Sequence, residues 1–225
     1  IAKLEDFEYV AGENVDPQII IEYQNISLYC LDFYDRQAIF VGTPLDIDLS
    51  QAAFFHQAQY EYAKRLFAVP FEGLPQLAAG LVNPIDKLVM IYSVGRCGST
   101  LISKVFNQLD TVLSLSEPDV FSQLVSIRNP EGSKDDEITK LIEICIKFLG
   151  KPTLKGKQSC CAIKLRSFCM ELGDLIYRAF PDAKVIFLYR NAEEVVKSYI
   201  RTFASLSDPK SALTAPSIIF STDPA

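Results

Sequence analysis

Lys87-Leu88-Val89-Met90-Ile91-Tyr92-Ser93-Val94-Gly95-Arg96-Cys97-Gly98-Ser99-Thr100-Leu101 is an apolar run that enters a small, basic, hydroxyl-bearing turn and leaves it as a helix. Lys87 to Tyr92 reads as a strand buried on both faces and therefore central in a parallel sheet. After the turn, Leu101, Ile102, Val105, Phe106 and Leu109 recur at helical spacing, which predicts a helix beginning at or just before Ser99. The turn is thus placed at a helix N-terminus, where unpaired N–H groups and the positive end of the dipole favour an anion. Gly95 and Gly98 let the backbone come close to a ligand, Arg96 supplies a fork of donors suited to phosphate or sulfate oxygens, and Ser99 and Thr100 add hydroxyls.

A nucleotide-binding P-loop carries Gly-Lys-Ser/Thr at this point, with the lysine on the outer phosphates and the hydroxyl on magnesium. Here Gly98 runs directly into Ser99 and Thr100, and the absent lysine argues against a metal-dependent phosphoryl transferase. A second segment repeats the strand-to-helix pattern. Phe180-Pro181-Asp182-Ala183-Lys184-Val185-Ile186-Phe187-Leu188-Tyr189-Arg190-Asn191-Ala192-Glu193-Glu194 predicts a buried strand over Lys184 to Tyr189, ending at Arg190. A helix follows, with Asn191 and Glu194 in the form of a capping box and Ser198 two turns in. Ligands of open α/β sheets bind at the carboxyl ends of the strands, so Arg190 and Arg96 are candidates to meet one ligand. Arg190 is equally a candidate partner for Glu193 or Glu194.

Together the two segments resemble the sulfotransferases that use the donor 3′-phosphoadenosine 5′-phosphosulfate (PAPS). The family's 5′-phosphosulfate loop reads Arg-Ser-Gly-Ser/Thr-Thr/Ser-Leu, and this chain has Arg96-Cys97-Gly98-Ser99-Thr100-Leu101, departing only at Cys97. Its 3′-phosphate motif reads roughly Phe-Pro-x-Ala-Lys-x-Ile-x-Leu-x-Arg-Asp-Pro with a later serine; here Asn191-Ala192 replaces Asp-Pro, and the serine is Ser198. The resemblance covers about residues 85–205. It implies an α/β, P-loop-like three-layer fold with a central parallel sheet. It implies that the loop from Arg96 to Leu101 holds the 5′ end of PAPS and that Arg190 and Ser198 hold its 3′-phosphate. It also implies in-line displacement at sulfur, with 3′-phosphoadenosine 5′-phosphate (PAP) as product, Arg96 as charge stabiliser where other members carry lysine, and no metal.

The acceptor hydroxyl, or less readily an amine, must lose a proton as it attacks, and in this family the base is a His or a Glu. Glu117, in Ser116-Glu117-Pro118, is the candidate, because sulfotransferases acting on tyrosine and on carbohydrates carry a Glu at about this place. The same triplet also suits a plain helix start, with Pro118 in its first turn. His56, the one histidine, lies in Phe54-Phe55-His56-Gln57-Ala58 and reads as structural. Lys164 and Arg166, in the apolar strand from Cys161, are further cations for the cleft, with at least one expected at the surface.

Residues 1–90 hold 5 Lys and Arg against 13 Asp and Glu, whereas residues 91–225 hold 17 against 15, for a net charge of −6. A chain this acidic, without a basic stripe, does not suit nucleic acid. No apolar run is long enough to cross a membrane, and the cysteines show neither zinc nor disulfide-scaffold spacing, so a cytoplasmic enzyme without membrane contact is expected. The Asn25-Ile26-Ser27 triplet is a glycosylation sequon. The chain begins at Ile1 and ends soon after Ser198, so a trimmed leader and missing C-terminal lid elements are expected.

Residues 1–80 are expected as a separate β-meander plus helix, and 81–225 as the sulfotransferase-like domain. The meander is predicted from three runs, Gln18–Tyr23, Ser27–Phe33 and Gln37–Val41, and the helix over Leu49 to Phe67, ending before Pro70. Ile138, Leu141, Ile142, Cys145, Phe148 and Leu149 predict one more amphipathic helix, after a loop over Asn129 to Asp136. Two other readings stay open: a P-loop kinase-like phosphoryl transferase, and a catalytically silent nucleotide-binding module.

Overall fold

The computed structural model describes residues 1–81, 86–151 and 158–203, and all the candidate site residues fall among them. The chain opens with a short helical turn α1 (Ile19–Glu22), then β1 (Ile26–Asp32) and β2 (Gln37–Gly42). A 3₁₀ turn at Leu49–Gln51 precedes α2 (Phe55–Tyr62) and β3 (Arg65–Pro70). These strands form an antiparallel sheet in the order β1-β2-β3, with Leu31 opposite Ala38 and Phe40 opposite Phe67.

The meander therefore exists, but its third strand is Arg65–Pro70 and not Gln18–Tyr23. Asp16 Oδ1 accepts the Gln18 N–H at 2.9 Å, and Pro17 stands at the helix start, so local capping overrides the β-branched run Ile19-Ile20-Ile21. The predicted single helix over Leu49 to Phe67 breaks at both ends for similar reasons. Asp48 caps only the 3₁₀ turn, accepting the Ser50 N–H at 3.1 Å, and the chain is extended at Ala52 before α2 begins. Past α2, Arg65 to Val69 pair with the open edge of β2, and Pro70, which lacks an N–H, is tolerated because β3 is an edge strand.

Lys151 ties α1 to the rest of the protein. Its ammonium donates to the carbonyls of Ile20 (2.7 Å), Tyr23 (2.7 Å) and Ile26 (2.6 Å), so all three N–H donors are used and the carbonyls at the end of α1 are satisfied. Burial pushes this ammonium down from 10.5 to about 8, and it remains charged at neutral pH. Lys151→Met keeps the stem but orphans three carbonyls, and lowers stability by about 3 kcal/mol, read as a shifted urea midpoint at unchanged slope.

After α3 (Leu74–Ala79) the chain builds the second sheet through β4 (Lys87–Ser93), α4 (Ser99–Phe106), β5 (Val112–Ser116), α5 (Val120–Ile127) and α6 (Asp135–Leu149). It continues with β6 (Cys160–Lys164), α7 (Gly173–Ala179), β7 (Lys184–Leu188) and α8 (Ala192–Phe203). The order is β5-β6-β4-β7, every pairing is parallel, and β4 is interior as its apolar run predicts. This is an α/β fold with a helix-flanked parallel sheet. The stripe predicted for α6 is buried throughout, and Ile138, Ile142, Met90, Phe121, Ile163 and Phe40 belong to one core.

Two apolar segments lie differently from expectation. β7 is an edge strand and not a buried one, with Phe187 49% exposed. On α4 the stripe faces away from the core, and Leu101 is 67% exposed. The buried face of α4 is polar: Ser103 Oγ meets Ser114 Oγ at 2.8 Å, and Asn107 Oδ1, at the end of the helix, accepts the Ser114 N–H at 3.1 Å. Hydrogen bonds to β5 fix the rotation of α4, and hydrophobicity alone does not reveal them.

Candidate functional site

Parallel pairing brings the carboxyl ends of all four strands to one edge: Ser116 lies opposite Lys164, Lys164 opposite Ile91, and Ser93 opposite Leu188. Every candidate site residue leaves the sheet at this edge. β4 hands over to the loop when the Val94 N–H donates to Leu188 O at 3.2 Å. Gly95 (φ 78°), Arg96 (φ 54°) and Gly98 (φ 87°) then take left-handed conformations before α4 begins. Such turns point successive N–H groups into a concavity that suits an anion, and α4 starts directly from Gly98. A methyl group at Gly98 would meet nothing within 4 Å, whereas at Gly95 it would lie 2.4 Å from the Tyr199 hydroxyl oxygen.

The second motif closes on the first. Arg96 Nε donates to Ser198 Oγ at 3.0 Å and its NH2 to Thr202 Oγ1 at 2.8 Å, both on α8. Arg190 NH1 donates to Arg96 O at 3.4 Å, and Cys97 Sγ lies 3.6 Å from Leu188 O. Three residues singled out from two distant stretches of sequence, Arg96, Arg190 and Ser198, are therefore joined through Arg96. Among the described residues, Arg96 bonds hydroxyls and no carboxylate, so its charge is available to an anion. Arg190 also pairs with Glu194 at 3.1 Å, an exposed pair of the i,i+4 type that is worth only a few tenths of a kcal/mol. Asn191 accepts the N–H of Glu193 (3.0 Å) and of Glu194 (3.4 Å), so it starts α8, while the Glu194 carboxylate goes to Arg190.

The loop residues divide by direction. Ser99 is buried and its Oγ accepts from Ser93 Oγ at 3.3 Å, while Thr100 is half-buried. Leu101 points outward on the exposed face of α4. Thr202 is a residue that sequence reasoning missed, and its signal is the four-residue spacing from Ser198, which puts both hydroxyls on one helix face.

Glu117 stands at the same edge, beyond β5. It is one of three non-glycine residues with positive φ among the described residues, at 59°, and Arg96 is another. Left-handed conformations at non-glycine residues store strain and concentrate at functional sites. The Glu117 N–H donates to Lys164 O at 2.7 Å, its carboxylate accepts a hydrogen bond from the Lys164 ammonium, and Arg166 Nε lies 3.6 Å from Oε2. Both cations anticipated for the cleft are thus bound to Glu117, and neither is a solvated surface charge. β6 lies between β5 and β4, so two strand spacings, about 10 Å, separate the Glu117 strand from the loop strand.

His56 joins this group, although its sequence context reads as plain packing. Its Nδ1 is 3.2 Å from Glu117 O, and Arg166 NH2 is 2.9 Å from its Nε2. Asp119 is the other residue missed: its buried carboxylate lies 2.9 Å from Arg166 NH1 and accepts the Ala2 N–H. Burial and the Arg166 charge together hold the His56 imidazole below its ordinary value of 6.5.

As pH falls past 6.5, the unfolded chain takes up this proton while the folded protein still resists it. Stability is therefore complete above 6.5 and declines as pH drops toward the folded-state value. Urea midpoints from pH 7.5 to 5 should fall more steeply for the wild type than for His56→Gln.

Among the described residues, no cluster of three or more His, Cys, Asp or Glu is arranged to hold a metal, and no helix is long and apolar enough to cross a membrane. Compared with protein-family models, curated proteins and solved structures, the chain shows no match.

Proposed function

We propose that this protein is a sulfotransferase that moves a sulfuryl group from PAPS to a hydroxyl-bearing acceptor. The observation that carries the reading is the convergence of Arg96, at the helix-entry loop, with Ser198 and Arg190, from the second motif. A donor with phosphate at both its 5′ and 3′ ends needs two cationic anchors side by side, and these motifs supply them. The open space at Gly98 and the absence of a carboxylate on Arg96 among the described residues suit an anion in the loop.

In this reading the N–H groups of the loop, with Arg96 and Thr100, hold the 5′-phosphosulfate, while Arg190 and Ser198 hold the 3′-phosphate. Ser99 braces the loop through Ser93, and Cys97 does so through Leu188 O. PAPS supplies an activated sulfuryl group whose leaving group is a phosphate. A guanidinium is a poor proton donor, so Arg96 stabilises developing charge by its own charge and N–H groups. Glu117 takes the proton of the acceptor hydroxyl, and Lys164 and Arg166 orient its carboxylate. The loop glycine is followed by Ser99 and not by lysine, which disfavours phosphoryl transfer.

Six cysteines stand unpaired, in keeping with a reducing compartment such as the cytoplasm. The direct test is labelled-sulfate transfer from PAPS to a panel of phenols, sugars and tyrosine peptides, with water as the background acceptor. Label on any acceptor above that background supports the reading. Equal transfer of a γ-phosphoryl group from ATP would contradict it.

A further inference from the structure

Arg166 meets three groups at once: Asp119 Oδ1 at 2.9 Å from NH1, His56 Nε2 at 2.9 Å from NH2, and Glu117 Oε2 at 3.6 Å from Nε. A guanidinium is a rigid plane, so holding two of its edges fixes the direction of the third. Asp119 holds one edge as an ion pair; its side chain is closed off from solvent, and its Oδ2 is committed to the Ala2 N–H. His56 holds the second. Its Nδ1 faces a carbonyl oxygen, which only accepts, so Nδ1 carries a proton. Its Nε2 faces a guanidinium, which only donates, so Nε2 must present a lone pair. Both neighbours specify the same neutral tautomer.

We propose that His56 and Asp119 are positioning residues that aim Arg166 at the Glu117 carboxylate, and that adding a proton to His56 Nε2 releases this aim. An Nε2–H would point at the N–H donors of Arg166, so the ring and the guanidinium must separate. The charged and titratable groups facing the ring are Arg166 and, through Glu117, Lys164 from β6 and the segment after it, Glu117 after β5, and Asp119 just before α5. On its own helix, α2, Tyr60, Glu61 and Tyr62 follow it. Arg166 and burial oppose the imidazolium, Asp119 and Glu117 favour it, and the opposing pair prevails. The consequence for sulfuryl transfer rests on Glu117 being the base, whereas the tautomer and its release do not.

These 225 residues hold one histidine, so the imidazole nitrogen resonances of this chain, uniformly labelled, belong to His56 alone. The expected result is an Nδ1-protonated ring at pH 7.5 and one titration with its midpoint below 6.5. The carboxyl carbon of Glu117, assigned by its loss in Glu117→Gln, should shift in step with that titration and lose the inflection in His56→Gln. Asp119→Asn and, separately, Arg166→Gln should turn the fixed tautomer into a mixture. A wild-type ring protonated on Nε2 at pH 7.5, a midpoint at or above 6.5, or a Glu117 carbon blind to the titration overturns the proposal, whether or not the variants fold. PAP binding by the wild type is measured alongside. The predicted tautomer and coupling without any PAP binding would support the clamp and overturn the sulfotransferase reading.

Discussion

Glu117→Gln lowers the rate of sulfuryl transfer at saturating donor by about a hundred- to ten-thousand-fold, the range for loss of a general base, while PAP affinity changes by less than about threefold. The separation follows from position. Glu117 leaves the sheet after β5, across β6 from the strand that carries the loop with Gly95 and Gly98, so in the proposed reading its carboxylate serves the acceptor and not the phosphates. The amide keeps the size of the side chain and an oxygen for Lys164, so what is lost is the charge that pairs with Lys164 and Arg166. Rate and affinity falling together would place Glu117 in donor binding instead. An undiminished rate would remove it as the base.

Arg96→Ala weakens PAP binding by about a hundredfold, the scale of one or two charge-assisted hydrogen bonds lost. Its side chain also bonds Ser198 and Thr202 and so links the loop to α8, and in the proposed reading the loss reaches both ends of the donor. Arg96→Lys separates charge from geometry. A point charge restores part of the affinity, but it cannot span Ser198 and Thr202 as the fork does. Calorimetry on the two variants reads this directly, and equal affinity for wild type and Arg96→Ala would remove Arg96 from the site.

The parallel sheet was legible because β4 is a run of apolar residues with no competing signal, and because glycines at 95 and 98 mark a tight strand-to-helix turn. The meander was legible in two of its three strands. The third was misplaced because Ile19-Ile20-Ile21 carries strong β propensity, and what holds it helical is the Asp16 cap together with a lysine far along the chain. Arg65 to Pro70 became a strand because β2 offers an open edge, and a sequence does not display edges. The outward rotation of α4 depends on Ser103 and Asn107 finding β5, which no periodicity of apolar residues reveals.

The two motifs were readable as local patterns, and the fold brings them together at the carboxyl edge of the sheet. The surroundings of Glu117 were not readable in the same way. His56, Asp119, Lys164 and Arg166 come from three separate stretches of chain, and their pairing is a tertiary fact with no local spacing to announce it.

The central claim is that the loop at Gly95 to Thr100 and the residues Arg190 and Ser198 form a single site for a nucleotide with a 3′-phosphate. Calorimetric titration of the protein with PAP, with 5′-AMP and with ATP tests it most directly. Tight binding of PAP, with loss of about a hundredfold on removing the 3′-phosphate and no comparable affinity for ATP, is the result predicted. Affinity for ATP equal to or above that for PAP, with no preference for the 3′-phosphate, would contradict it.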